Sequence, residues 1–272
     1  MTRLQLVELE DLPWVPRAIR DGGTDILDVL LVWSDVYRPL AARLAAFMDA
    51  VGQRRWLDLC SGGGGGALAM RAALVAAGVD APQLTLTDRY PSESARQRVA
   101  ALGDPGVQYL DEPVDAMQVG TSAAGIHTMF SALHHFRPDE VRRILASAVA
   151  AGVPLAFMDV AASPALRRVP LVLAPVVALP NAVLLFVLAL VLVPIARPWR
   201  WSRVLWTYVL PAIPCLFAWD GTVSALRAYA PDELLALART VPGGAGYQWH
   251  VERAGPALLL TGHSVAPAPP PA

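Results

Sequence analysis

The chain reads as an α/β fold built on a parallel sheet with helices on both faces, and three observations predict it. Five short apolar runs alternate with stretches of helical length, the pattern of strands joined by crossover helices. A run of five glycines, Gly62 to Gly66, stands between the first of these runs and an alanine-rich helical stretch. Two further strand-like runs close the pattern as a terminal hairpin, which makes seven strands in all. The 272 residues suffice for one substantial α/β domain with an elaboration.

Taken in order, residues 25–33 and 36–50 read as two amphipathic helices, the second capped by Ser34 or Asp35. Residues 55–60 are strand-like and lead through the glycines into a helix over 67–77. A second strand over 84–88 precedes a polar helix over 92–101, and residues 107–110 form a third strand. Residues 125–130 form a fourth, followed by a helix over 138–150 opened by Pro-Asp-Glu, and residues 154–160 form a fifth. The rhythm then breaks, and resumes with a helix over 231–239 and strands over 247–252 and 257–263.

Composition removes several function classes. The formal net charge of −1 gives no field that favours nucleic acid. Every basic side chain is arginine or histidine, so a Schiff-base lysine, a phosphate-loop lysine and a kinase lysine are all excluded. Two cysteines, Cys60 and Cys215, give neither a disulfide framework nor metal-ligand spacing. The acidic start of the sequence lacks the apolar core of a secretory signal, and a cytoplasmic setting is expected. The Ala/Pro stretch over 266–272 is expected to be a disordered tail.

A strand that must turn at once into a helix needs residues without Cβ, and these also let a ligand approach the backbone. The helix start then presents N–H groups to a polar or anionic ligand group. Asp58, at the strand end ahead of the glycines, can take a cation or position a sugar through water. Asp88 closes the second strand where an acid chelates ribose hydroxyls in both nicotinamide and sulfonium cofactor classes.

Four motifs in order then carry a family resemblance. Leu57-Asp58-Leu59-Cys60-Ser61-Gly62-Gly63-Gly64 resembles the first motif of class I S-adenosylmethionine-dependent methyltransferases, an acid followed by Gly-x-Gly-x-Gly. Cys60 stands where that motif has its first glycine. Thr85-Leu86-Thr87-Asp88 is similar to the ribose-binding strand end, and residues 107–116 to the segment in which an Asp-Ala pair meets adenine. Residues 128–136, ending Leu133-His134-His135-Phe136, resemble the fourth-strand motif. The resemblance covers residues 54–160 and, more weakly, 230–264. It implies a Rossmann-like seven-stranded methyltransferase sheet and S-adenosyl-L-methionine as the cofactor. The residues implied to hold it are Asp58, Cys60, Ser61, Gly62, Gly64, Asp88, Arg89, Asp115, Ala116 and Phe130, with Asp111 as the alternative to Asp115.

The expected organisation is an N-terminal helical lid over 1–52 and a cofactor-binding core over 53–160. An apolar insertion over 161–229, the remainder of the core over 230–265 and the tail complete it. Residues 169–196 carry no charge at all. Pro170, Pro175, Pro180 and Pro194 interrupt them, leaving an unbroken helix expected over 181–193. Such a helix spans about 20 Å, short of a hydrocarbon core of about 30 Å. The segment Arg197-Pro198-Trp199-Arg200-Trp201-Ser202-Arg203 has the side chains of a membrane interface, with Trp206 beyond it and Arg167 and Arg168 as the other anchor. A monotopic or re-entrant insertion on the inner face of the cell membrane is favoured. A helical cap over the acceptor site and a spanning hairpin remain open.

In this fold, insertions at strand carboxyl ends lie over the ligand crevice, so the acceptor is expected to be a lipophilic small molecule or lipid. Asp159, His134 and Asp220, in that order, are the candidates for the base or acceptor-orienting group, with Asp220 and Arg227 expected to pair. The rival readings are a nicotinamide-dependent oxidoreductase and a non-catalytic module that binds a membrane or partner.

Overall fold

The computed structural model describes residues 3–119, 124–160, 170 and 173–265. The chain divides into two compact units. One comprises Asp35–Ala161 and Tyr229–Ala272, the other Met1–Ser34 and Ala162–Ala228. The stretch read as a single N-terminal lid is shared between them, the break falling after Ser34.

The larger unit is built on one seven-stranded sheet. Its strands are β1 (Arg55–Leu59), β2 (Gln83–Leu86), β3 (Val107–Tyr109), β4 (Ile126–Phe130), β5 (Leu155–Val160), β6 (Tyr247–Ala254) and β7 (Ala257–Ser264). Their order is β3-β2-β1-β4-β5-β7-β6. The first five run parallel, and β7 lies antiparallel to both β5 and β6. Central strands covered on both faces should be apolar throughout rather than alternating. Every residue of β4 and the first five of β5 are buried accordingly. The chain leaves β1 toward β2 on one side and returns to β4 on the other. The carboxyl ends of β1 and β4 therefore flank the crevice where such sheets bind ligands.

Helices of this unit follow the sequence closely. They are α2 (Ala41–Val51), α3 (Gly65–Ala76), α4 (Glu93–Leu102), α5 (Pro138–Ala151) and α9 (Pro231–Arg239). Ser92 caps α4 by accepting from the Ala95 amide. In α5 the Glu140 carboxylate accepts from the Arg137 amide at 2.7 Å. Helix α2 departs from expectation: a 3-10 turn over Arg38–Leu40 precedes it, and neither Ser34 nor Asp35 caps it. Asp35 has a left-handed backbone, φ 51, and pairs with Arg38. Leu145, Phe157, Leu234 and Leu260 belong to the apolar core that packs α5 and α9 on the sheet.

The smaller unit holds α1 (Arg17–Ser34), α6 (Ala174–Leu192), α7 (Trp201–Val204) and α8 (Ala212–Arg227), with a π-helical turn over Leu205–Val209. Helix α1 starts eight residues earlier than the sequence suggests, running through Gly22 and Gly23. These glycines permit a close helix approach. A Cβ on Gly22 would lie 2.4 Å from Ile213 Cδ1, and one on Gly23 2.8 Å from Leu216 Cδ2. Helix α6 likewise passes through Pro180, where a break was expected. Proline has a helical φ and forfeits one backbone hydrogen bond, and the packing of Ala189, Leu192 and Val193 against Ile26, Ile213 and Leu216 offsets that loss. Arg203 is buried beside Asp25 at 2.6 Å and also donates to the carbonyls of Ala196 and Pro198. Among the described residues no single helix is long and apolar enough to cross a membrane. Trp201–Val209 and Ala212–Arg227 meet that requirement only together, across a 79° bend. Arg167, Arg168 and the Ala/Pro tail lie outside the described residues.

Candidate active site

The glycine loop is a left-handed turn locked to its neighbouring strand. Cys60, Gly62 and Gly64 have φ of 55°, 53° and 83°. Alternating left-handed residues turn the chain sharply out of β1 and into α3, for which Gly64 is the N-cap. Glycine takes this conformation without strain, and Cys60 takes it at a cost of about 1–2 kcal/mol. The loop is pinned to the end of β2. The Ser61 amide donates to Thr87 O at 2.8 Å, and the Gly62 amide donates to Asp88 Oδ2 at 2.9 Å.

Asp58 holds this turn from beneath. It is 1% exposed. Its Oδ2 accepts from Ser61 Oγ at 2.6 Å and its Oδ1 from Thr128 Oγ1 at 2.8 Å. Thr87 Oγ1 donates to the Asp58 carbonyl at 2.7 Å. Burial pushes its carboxyl up to about 7 against these bonds, and the nearby Asp88 charge acts in the same direction. Both Asp58 oxygens thus bind hydroxyls of β4 and the loop, so the acid expected to take a cation or position a sugar through water also braces the turn itself.

Asp88 and Asp115 face the same crevice and are partly exposed. Asp88 Oδ1 accepts from the Tyr90 amide at 2.8 Å, while its carbonyl receives the Val114 amide at 2.9 Å. Burial raises its carboxyl above the usual range. Asp115 caps a 3-10 turn, Ala116–Gln118, by accepting from the Met117 amide at 2.9 Å, with Arg89 at 3.8 Å. Asp111 points elsewhere, to Arg96 at 2.9 Å, which favours Asp115 over it. The Cys60 thiol is pushed up by burial and further by the charges of Asp88, Asp58 and Asp115. Ala116 is buried, and Arg89 is exposed. Phe130 packs behind the loop, edge-on to Tyr37 at 5.7 Å, and a Cβ on Gly66 would lie 2.6 Å from its Cβ.

A second cluster lies at the carboxyl ends of β4 and β5. His134 Nδ1 is 2.7 Å from Asp159 Oδ1, and the His134 amide donates to Asp159 Oδ2 at 2.7 Å. Both side chains are buried. The His135 ring lies 4.6 Å from the His134 ring. Ser131, left-handed at φ 53, meets the Tyr37 hydroxyl at 2.5 Å. Burial and the Asp159 charge push the Tyr37 hydroxyl far up, so it stays neutral. Tyr37, Ser131, Thr87 and Thr128 were not singled out from the sequence. Tyr37 had no local signal, being brought to β4 only by the tertiary fold.

Asp220, the third candidate, does something else. Its two carboxylate oxygens accept from the Leu9 and Glu10 amides at 2.6 and 3.0 Å, capping the N-terminal 3-10 turn of the smaller unit. Burial pushes its carboxyl up to about 7. Arg227, its expected partner, extends to Glu8 at 3.3 Å and Asp11 at 3.4 Å. The sequence separation of these contacts, more than two hundred residues, made them illegible beforehand.

No protein-family model and no curated protein matches the sequence. The structure is similar to human N-acetylserotonin methyltransferase in complex with S-adenosylmethionine, with a TM-score of 0.52, 12% identity, and 90% of this chain covering 56% of that one. It is similar to an O-methyltransferase family protein from Burkholderia thailandensis, with a TM-score of 0.51, 14% identity, and coverage of 89% and 59%. It is also similar to the S-adenosylmethionine-dependent methyltransferase SibL in its apo form, with a TM-score of 0.50, 18% identity, and coverage of 85% and 55%. The chain thus spans somewhat over half the length of these structures. Its fold is that of the class I methyltransferases.

Proposed function

We propose that this chain, carrying the class I methyltransferase fold, transfers a methyl group from S-adenosylmethionine to an oxygen of an apolar small molecule or lipid. The observation that carries the reading is the His134–Asp159 pair, held at the same sheet edge as the glycine loop and its acids. Three of the solved structures it resembles are methyltransferases, one of them described as an O-methyltransferase family protein.

The residues present suit this cofactor. Asp88 offers a carboxylate to vicinal hydroxyls, Asp115 lies beside it, and the turn through Cys60, Gly62 and Gly64 brings backbone close to a ligand. Bound there, S-adenosylmethionine supplies a methyl group already activated by its sulfonium.

The chain's own contribution is position and a base. Asp159 fixes the His134 ring through Nδ1, which directs the base function to Nε2 and stabilises the imidazolium once it forms. His134 accepts the proton of the acceptor hydroxyl at that nitrogen. Tyr37, kept neutral, holds Ser131 in the turn between β4 and His134. The apolar character of residues 169–196 supports a lipophilic acceptor met at a membrane surface. Calorimetric titration with S-adenosylhomocysteine and with NAD tests the cofactor, and methyl transfer to hydroxylated apolar acceptors tests the chemistry. Binding of NAD with no response to S-adenosylhomocysteine overturns the proposal.

A further inference from the structure

We infer that the smaller unit carries a monotopic wedge for one leaflet of an anionic bilayer. The wedge is the outer face of α6 together with the turn from Trp201 to Leu210. The inference deepens the membrane part of the reading above and does not depend on methyl transfer.

The first support is the arrangement of exposed side chains on α6. Val176, Leu179, Val183, Val187 and Val191 are all exposed, at steps of three or four residues, so they line one face of α6, which exposed Val177 and Leu184 broaden and Ile195 continues just beyond its end. Val176 is 67% exposed. The opposite face, with Ala189, Leu192 and Val193, is buried in the core of its own unit. A spanning helix in lipid has no reason to restrict contact with its surroundings to one stripe. A helix lying in the interface does, one face in lipid and the other on protein.

The second support is the segment after α6. Trp201 is 76% and Val209 68% exposed, with Leu205, Tyr208 and Leu210 exposed between and beside them. The Tyr208 hydroxyl donates to the Leu190 carbonyl at 2.5 Å, which sets this turn against the carboxyl-terminal half of α6 and makes the two apolar faces neighbours. A 79° bend beyond Val209 separates this turn from α8, so neither piece is by itself long and apolar enough to cross a bilayer. Contiguous apolar surface of this kind is uncommon on a protein surrounded by water.

The third support is charge, and it selects the occupant. No acidic residue occurs between Asp159 and Asp220, whereas exposed Arg197 lies over the Trp199 ring at 6.0 Å. Trp199 and Trp201 pack edge to face at 5.9 Å, and Trp199 is half exposed. Arg200 of the same segment is answered by Asp21 of α1 at 3.7 Å and Arg203 by Asp25, which leaves Arg197 with Trp199 and Trp201 as the surface that matches the head-group layer of an anionic membrane. A second copy of the chain would offer the same face, with arginine against arginine.

The test uses the full chain with phosphatidylcholine vesicles, with and without phosphatidylglycerol. The wild type should co-sediment with both and more strongly with the anionic ones. Tryptophan emission should be quenched by brominated lipids labelled near the head groups. Val183→Glu with Val187→Glu, both at exposed positions, should weaken binding about tenfold or more. Arg197→Glu should weaken it about fivefold for anionic vesicles alone. Val75→Glu, at an exposed apolar position on α3, should leave it unchanged. Absence of vesicle binding, binding indifferent to the double substitution, or self-association that the double substitution abolishes without any lipid binding would each overturn the inference. Calorimetry with S-adenosylhomocysteine on the same double variant reports separately on the cofactor reading.

Discussion

His134 and Asp159 meet twice, ring nitrogen to Oδ1 and amide to Oδ2, each at 2.7 Å, so one carboxylate fixes both the backbone and the imidazole. His134→Ala should lower kcat about 10²- to 10⁴-fold while leaving the affinity for S-adenosylhomocysteine within about twofold. Asp159→Asn should lower kcat with little change in the affinity for S-adenosylhomocysteine, because the ring loses the carboxylate that orients it through Nδ1. A merely structural pair would change cofactor affinity and melting temperature along with kcat.

The buried carboxyl of Asp58 predicts a specific dependence of stability on pH. Its pKa rises from 3.8 to about 7 on folding, so between these values the folded chain holds a proton that the unfolded chain has released. The contribution of this group to stability is therefore full below about pH 4 and is lost as the pH climbs through about 7. Melting should occur at lower temperature at pH 8 than at pH 5.5. Asp58→Asn should reduce that slope, with Asp220, also raised to about 7, maintaining part of it.

The loop conformation predicts opposite outcomes at two neighbouring positions. Cys60→Gly relieves a left-handed side chain and should stabilise the chain by up to about 1 kcal/mol after the greater freedom of unfolded glycine is counted. Gly64→Ala places a Cβ 2.7 Å from Leu86 Cδ1 at φ 83 and should destabilise it by about 1–3 kcal/mol. Denaturant titration of both variants measures the difference.

In the smaller unit, Arg203→Ala leaves Asp25 buried without its guanidinium and should cost about 3–5 kcal/mol. The pair Asp25→Leu with Arg203→Met removes both charges and should recover most of that loss. Unfolding curves followed by tryptophan emission compare the three chains.

What the sequence made legible follows from how local each signal is. Strands β1 to β5 announced themselves as short apolar runs between turn residues, and the terminal hairpin by its spacing. Asp88 and the glycines were readable because a strand-to-helix turn constrains residue types within a few positions. Pro180 misled, since local propensity marks it as a break while packing runs α6 through it, and the first turns of α1 through Gly22 and Gly23 rest on contacts with Ile213 and Leu216 far along the chain. The roles of Asp58 and Asp220 were hidden for another reason. Each acid is satisfied by groups distant in the chain, Thr128 in one case and the Leu9 and Glu10 amides in the other. Tyr37 reaches Ser131 across ninety-four positions, a contact that no periodicity encodes.

The central claim is that a sulfonium methyl donor binds where Asp88 meets the Gly62 amide at the carboxyl edge of the sheet. Calorimetric titration of the wild type and Asp88→Asn with S-adenosylhomocysteine tests it most directly. The account predicts saturable one-site binding to the wild type, weakened about 10- to 100-fold by the substitution as a charged hydrogen-bond acceptor is lost. No heat of binding in the wild type, or equal affinity in the two chains, contradicts it.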